Sequence, residues 1–352
     1  MTMKFSIKDI LRPNIASLAP YSCARDEYDG DDATFLDANE NPYDTGYNRY
    51  PDPMQRELKK RISAIKAVRE DMILLGNGSD EIIDILIRSV CRPSGVDNVV
   101  TFIPGYSMYD VSAHINDVEV RSISLTPSFM PDIERYWQVA DGNTRLTFIC
   151  TPHNPIGTAV PLEDIELLCS KSKGLIVVDE GYIDFSSIPS AVTLLDKYPN
   201  LVILQTLSKS WGMAGLRLGM CFASREIIAV LNKVKAPYNI SSETQKIALS
   251  LLNDVKAYEE RKNEILRERE RLLAELEKMS IFTHVYASQG NFILVRSNHC
   301  DEIYKYLVDN KVVVRKRDIP PLIGGGIRIT VGTPQENDLL IDLLIKYNTS
   351  VE

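Results

Sequence analysis

Four short segments carry residues able to do chemistry, and each follows a run of apolar residues. Residues 174–178 lead into Asp179-Glu180-Gly181-Tyr182. A carboxylate there can cap the next turn or helix, or stand as a fixed anion that pairs with a cationic ring nitrogen. Residues 201–206 lead into Leu207-Ser208-Lys209-Ser210-Trp211, with Gly212, Gly215 and Arg217 close behind. Most lysines only solvate the surface, and a free lysine, with a pKa near ~10.4, is a poor nucleophile at neutral pH. Directly after a buried strand, beside Arg217 and hydroxyls, that pKa can fall, and the amine can then condense with an aldehyde. Residues 72–75 lead into Gly76-Asn77-Gly78-Ser79-Asp80-Glu81. Glycines, a hydroxyl and free backbone N–H groups at a helix start make an anion site, although an N-cap at Ser79 or Asp80 accounts for the same residues. Neither the G-x-G-x-x-G nor the G-K-[ST] nucleotide fingerprint is present. Residues 145–150 lead into Thr151-Pro152-His153-Asn154-Pro155-Ile156-Gly157. Two X-Pro bonds and a glycine restrict that backbone, either as a rigid connector or to aim the Asn154 amide at a ligand.

An anion cradle, an amide, a carboxylate and a lysine, with an arginine nearby, suit a phosphorylated aromatic aldehyde carrying a basic ring nitrogen. Pyridoxal phosphate has those groups. Ligands of an open α/β sheet bind beyond the carboxyl ends of its strands, so these segments must share one sheet edge.

The elements that could place them there are legible. Apolar runs at 72–75, 98–103, 118–125, 145–150, 174–178, 201–206 and 216–222 predict strands, several of them continuous, as strands buried on both faces are. Helical patterns at 79–91 and 162–170 fall between them. Strand and helix in alternation predict an α/β fold with a mainly parallel sheet covered by helices on both sides. Residues 254–279 carry Tyr258, Ile265, Leu272, Leu276 and Met279 at a spacing that gives one apolar stripe on a long helix. The charge run at 259–264 then reads as a solvated face. Strands near 281–286, 291–296, 312–315 and 327–331, with helices near 301–309 and 334–347, predict a smaller α+β domain. The expected division is 1–45 as an N-terminal arm and part of the small domain, 46–253 as a large cofactor-binding domain, and 254–352 as the small C-terminal domain.

Composition narrows the function. Of 352 residues, 40 are Lys or Arg and 48 are Asp or Glu, for a net charge of −8. A protein that binds nucleic acid over its whole surface needs a basic face, so no nucleic-acid partner is expected. The six cysteines (Cys23, Cys91, Cys150, Cys169, Cys221, Cys300) are scattered without C-x-x-C spacing, and His114, His153, His284 and His299 show no ligand spacing. No metal site and no disulfide scaffold are expected; buried thiols in a reducing compartment are. Lys4, Lys8 and Asp9 interrupt any apolar signal core, and no run spans a bilayer. A cytoplasmic protein without a membrane partner is the expectation.

Set in order, further motifs join these segments: Leu18-Ala-Pro-Tyr21, Leu36-Asp-Ala-Asn-Glu-Asn-Pro42, Arg49-Tyr-Pro-Asp52, Pro104-Gly-Tyr-Ser-Met-Tyr109, Gly215-Leu-Arg217 and Arg328-Ile-Thr-Val-Gly332. In this combination, over nearly its whole length, the chain resembles the fold-type I pyridoxal-phosphate aminotransferases, and among them the histidinol-phosphate aminotransferases. The resemblance implies that Lys209 binds the cofactor aldehyde and then serves as base and acid. It implies that Asp179 pairs with the ring nitrogen, that Asn154 and Tyr182 hydrogen-bond the ring O3′, and that Tyr106 stacks on the ring. The cofactor phosphate falls to Ser79, Asp80, Ser208 and Arg217, with Tyr50 reaching it from a neighbouring subunit, which implies a homodimer with shared sites. Arg328 matches the arginine that holds an α-carboxylate; Tyr21 and Arg315 match residues that help bind a substrate phosphate. The basic triplet Arg315-Lys316-Arg317 fits an anionic substrate or a solvated turn. Two positions depart from the family pattern: His153 and Ile156 replace the residues of an N-N-P-T-G loop, and Gly181 stands where alanine is common.

The reaction so implied is amino transfer between L-histidinol phosphate and 2-oxoglutarate, giving imidazole acetol phosphate and glutamate. Related enzymes that act on aromatic amino acids, or decarboxylate threonine phosphate, share the cofactor residues. A non-catalytic cofactor-binding regulator is disfavoured by Lys209 and by the lack of an appended DNA-binding segment.

Overall fold

Each of the first seven apolar runs forms a strand in the computed structural model, which describes residues 5–21, 33–317 and 325–351. The strands are β1 (Ile73–Asn77), β2 (Asn98–Ile103), β3 (Glu119–Ser124), β4 (Thr144–Cys150), β5 (Leu175–Asp179), β6 (Leu201–Thr206) and β7 (Leu218–Ala223). They make one sheet in the order β1-β7-β6-β5-β4-β2-β3. Neighbours from β3 through β6 run parallel, while β7 is antiparallel to both β1 and β6. The sheet is therefore mixed and mostly parallel.

Side chains of a strand alternate between faces, and the two faces feed two cores. Ile73, Leu75, Ile176 and Val178 join Leu58, Ile62, Ile165 and Leu168 on one side. Leu74, Leu175 and Val177 join Ile82, Leu86, Ile227 and Leu231 on the other. The helices that supply these partners are Arg56–Lys66, Leu162–Lys171, Gly78–Val90 and Arg225–Val234. Each such aliphatic side chain contributes roughly 1.5–3 kcal/mol on burial, so both helix layers are held firmly to the strands whose ends carry the chemistry.

A second sheet has the order β10-β11-β9-β8, from β8 (His284–Tyr286), β9 (Phe292–Arg296), β10 (Arg315–Arg317) and β11 (Gly326–Thr330). It is antiparallel throughout. Its core gathers Ile293, Val295, Ile327 and Ile329 with residues of the helices Cys300–Asp309 and Pro334–Val351. The long helix Val255–Leu276 spans both cores. Tyr258 stacks on Trp211 at 3.9 Å in the first core, and Leu272 and Leu276 are buried in the second. Glu260, Arg261, Asn263 and Glu264 are exposed, as a solvated face requires.

Two expectations are corrected. The described part of the N-terminal arm does not join the smaller sheet: Ile7, Ile10 and Ile15 are buried with Leu86, Ile87 and Val90 against the large sheet. The Arg12 N–H donates to the Ser89 carbonyl at 3.1 Å, because the short helices Ile7–Asp9 and Pro13–Ala16 present isoleucines that only this surface covers. The strand expected at 312–315 is shifted to Arg315–Arg317. Arg315–Arg317 pair with Gly326–Arg328 of β11, whereas Val313 is 80 % exposed.

β7 passes against the first turn of helix Gly78–Val90. A Cβ on Gly219 would lie 2.4 Å from the Gly78 carbonyl carbon and 2.5 Å from the Ser79 nitrogen. Gly78 itself has φ +76° and no room for a Cβ beside Arg217, so glycine is required at both. Gly219→Ala is expected to cost about 1–3 kcal/mol by overpacking, read as a lower urea midpoint at unchanged slope; an unaltered midpoint would show that the helix start can yield.

Candidate active site

Asp179 ends β5 with its carboxyl group almost withdrawn from water, at 7 % exposure. Burial pushes its pKa up, and two donors work against that: Tyr109 Oη at 2.7 Å from Oδ2 and the Gly181 N–H at 3.1 Å from Oδ1. Tyr109 is itself buried, stacked on Phe148 with centroids 4.6 Å apart. The carboxylate therefore has a fixed direction and retains acceptor capacity.

Lys209 lies just beyond β6. Burial lowers its pKa first, and the nearby charges of Arg328 and Arg217 lower it further, opposed by Asp179 and Asp80. This is the environment that makes an amine nucleophilic. Its Nζ is 5.7 Å from the centre of the Tyr182 ring. Asn154, after β4, donates from Nδ2 to Tyr182 Oη at 3.2 Å and accepts at Oδ1 from Arg328 Nη1 at 2.6 Å. Arg328 belongs to β11, so this last bond ties the smaller sheet to the larger one at the site.

The helix after β1 begins at Gly78, with Asn77 as N-cap and no side-chain capping bond. Capping by Ser79 or Asp80 therefore does not explain the motif. The N–H groups of these two residues belong to the first turn, where no intrahelical acceptor exists. Arg217 adopts φ +53°, and its carbonyl accepts the Gly78 N–H at 2.8 Å. Its guanidinium stands 3.6 Å from Asp80 Oδ2, and Tyr106 Oη donates to Asp80 Oδ1 at 2.9 Å. The Asp80 carboxylate thus orients Arg217 and Tyr106, leaving its backbone N–H to serve an anion. Ser208 Oγ, half-buried, accepts from Thr206 Oγ1 at 3.0 Å.

Lys209, Asp179, Asn154, Tyr182, Arg328, Arg217, Asp80 and Tyr106 thus form one connected cluster, with Ser79 and Ser208 at its cradle. Tyr50 stands elsewhere, stacked on Tyr238 at 4.5 Å in a cavity of about 530 Å³ that Asn77 also lines. Tyr21 is 62 % exposed. Arg315 is exposed and lies directly opposite Arg328 in the β10–β11 register. Two residues join the site that were given no role of their own: Tyr109, and Arg317, which the sequence offered only within the basic triplet. Tyr109 sits one helical step after Tyr106 and reads as core; Arg317 sits two residues after Arg315, at the strand period that gives both the same face.

The cluster fits a phosphorylated pyridine aldehyde on its own features. A glycine-lined helix start has free N–H groups beside a guanidinium, a buried carboxylate has spare acceptor capacity, and a lysine is depressed in pKa. Among the described residues, no group of three or more His, Cys, Asp or Glu side chains could hold a metal, and no helix is long and apolar enough to cross a membrane.

The family described as aminotransferase class I and II matches residues 26–344. The chain belongs to that family. A histidinol-phosphate aminotransferase of Parabacteroides distasonis is 49 % identical, covering 96 % of this chain and 98 % of that protein. The solved histidinol-phosphate aminotransferase of Clostridium acetobutylicum superimposes with a TM-score of 0.79 at 26 % identity, covering 87 % of this chain and 92 % of that one. That of Sinorhizobium meliloti, in complex with pyridoxal-5′-phosphate, shares the fold with a TM-score of 0.76 at 21 % identity, covering 86 % and 84 %.

His153 stands inside the aminotransferase's Asn154 loop, whose two X-Pro bonds are both cis. It is 2 % exposed, and its Nδ1 has no partner. Burial lowers its pKa from 6.5 to about 4, so the fold holds it neutral. Between these values the unfolded chain binds the extra proton. Stability is complete above pH 6.5 and is lost as pH falls toward 4, by about 3 kcal/mol at most. Urea unfolding at pH 7 and pH 4.5 is expected to show a smaller difference for His153→Asn than for the wild type; equal differences would place the histidine's titration elsewhere.

Proposed function

We propose that this aminotransferase transfers the amino group of L-histidinol phosphate to 2-oxoglutarate, using pyridoxal phosphate. The observation that carries the reading is the cross-strand pair Arg315 and Arg328, of which Arg328 is near enough to Lys209 to lower its pKa. They suit a substrate whose ends are anionic: a phosphate in one half-reaction, carboxylates in the other. Near full-length similarity to enzymes named for this reaction supports the same substrate.

Bound pyridoxal phosphate supplies an aldehyde that receives the amino group and a cationic ring that accepts the electrons released when the Cα proton leaves. Lys209 would hold the aldehyde before substrate arrives, and would then take the Cα proton and return it two atoms along, in a 1,3-shift. Burial and two neighbouring guanidiniums lower its pKa, which favours the neutral amine this proton transfer uses. Asp179 keeps the ring nitrogen protonated. Asn154 and Tyr182 bind the ring hydroxyl, and Tyr106 covers the ring face. The N–H groups of Ser79 and Asp80, with Ser208 and Arg217, bind the cofactor phosphate. Arg328 takes the α-carboxylate of glutamate; Arg315 and Tyr21 take the substrate phosphate. Tyr50 serves the cradle of a second copy, so the working form is a homodimer. The cytoplasm is the compartment proposed, and it suits the five described cysteines, all buried free thiols.

Adding histidinol phosphate to the loaded protein is expected to bleach its visible absorbance in a single turnover. An unresponsive spectrum would sink the substrate assignment. Lys209→Ala is expected to lose at least ~10³-fold in turnover; near-normal turnover would remove the lysine's role. Tyr109→Phe deletes a donor to the Asp179 carboxylate, so the acid's pKa rises. The pH titration of the bound cofactor's absorbance should shift, and an unshifted titration would reduce Tyr109 to packing.

A further inference from the structure

Arg317 is the position where the basic triplet goes beyond the residues already given a task. Strand side chains two apart share a face, and directly paired residues of an antiparallel ladder project to the same side. Arg315, Arg317 and Arg328 therefore share one face of the smaller sheet, while Lys316 points to the opposite face and meets Asp301. Among the described residues, the charged or titratable neighbours acting most strongly on Arg317 are Arg328, Arg315 and Tyr182. Its Nε is buried without a hydrogen-bond partner among the described residues. Two of those neighbours, Arg328 and Tyr182, both hydrogen-bond to Asn154.

Three guanidiniums on one face, one with a buried orphan donor, repel one another until an anion arrives. A single carboxylate offers one negative charge to this group. A phosphate monoester offers nearly two, with three acceptor oxygens. We infer that Arg317 is a specificity-determining residue that donates to the phosphate of the amino donor and favours phosphorylated substrates over dicarboxylates. The inference rests on the proposed reaction for the name of that donor, and on the arginine geometry for its phosphate.

The test separates the two half-reactions of the loaded enzyme. Arg317→Gln should raise KM for histidinol phosphate at least tenfold with kcat largely kept, and leave the glutamate half-reaction within about twofold. Arg317→Lys should recover part of that loss, and Lys316→Gln, on the other face, should change neither half. Binding of inorganic phosphate to the holoenzyme, followed by calorimetry, gives a readout independent of turnover: the wild type should bind and Arg317→Gln should bind at least fivefold more weakly. Equal losses in both half-reactions, or unchanged KM and phosphate affinity, would overturn the inference. If histidinol phosphate is not turned over but phosphate binding still depends on Arg317, the named donor falls and the arginine's selectivity for phosphate stands.

Discussion

A carboxylate can remain charged inside a protein only if fixed donors or opposite charges replace its water, and Asp179 sets that condition for the whole site. Tyr109 and Gly181 supply two donors; Lys209 supplies the positive charge. Tyr109 can do so only because Phe148, on the neighbouring strand β4, holds its ring by stacking. The pKa of Lys209 in turn is lowered by burial and by Arg328 and Arg217, and Asp179 opposes that shift. The acid at the end of one strand and the amine beyond the next therefore stabilise opposite charge states in each other, and both depend on parallel strands delivering them to a common edge.

The second dependence is mechanical. Asn154 is the contact through which the smaller sheet reaches the larger: its carbonyl oxygen takes Arg328, and its amide nitrogen holds Tyr182. One side chain thus couples the group proposed for the substrate carboxylate to the group proposed for the cofactor hydroxyl. The helix Val255–Leu276, with Tyr258 in one core and Leu276 in the other, limits how far the two sheets can separate. Substrate anions that attract Arg328 must compete with the Asn154 bond, so binding and the arrangement around the ring are linked.

The strands that carry the site were legible because buried parallel strands read as unbroken apolar runs, and the residues just past them were few enough to weigh individually. Lys209, Asp179 and Asn154 could be found that way, since their setting is local: a strand, then a short polar turn. Tyr109 could not, because the group that gives it meaning lies 70 residues away on another element. The isoleucines of the N-terminal arm were missed for a similar reason. The apolar residues of 7–15 are few and interrupted by Pro13, and their burial depends on a helix surface formed by residues 82–90. The β10 strand was misplaced toward Val312–Val314 because valine favours strands, yet the residues that pair with β11 are the three basic ones, Arg315–Arg317.

Alternation also explains the neighbouring acids at the end of β5. Asp179 and Glu180 are adjacent and both buried, yet they serve different surroundings, since successive side chains at a strand end point apart. Glu180 is turned away from the cluster and is met by Ser190 Oγ at 2.5 Å, the Ala191 N–H at 2.6 Å and Gln205 Nε2 at 2.8 Å. Even with three donors, burial holds its pKa up near about 7. Asp179 has two protein donors, Tyr109 Oη and the Gly181 N–H, where Glu180 has three. A strand end that gives one acid three donors and its neighbour two leaves acceptor capacity at that neighbour, and a protonated ring nitrogen is a donor of matching charge.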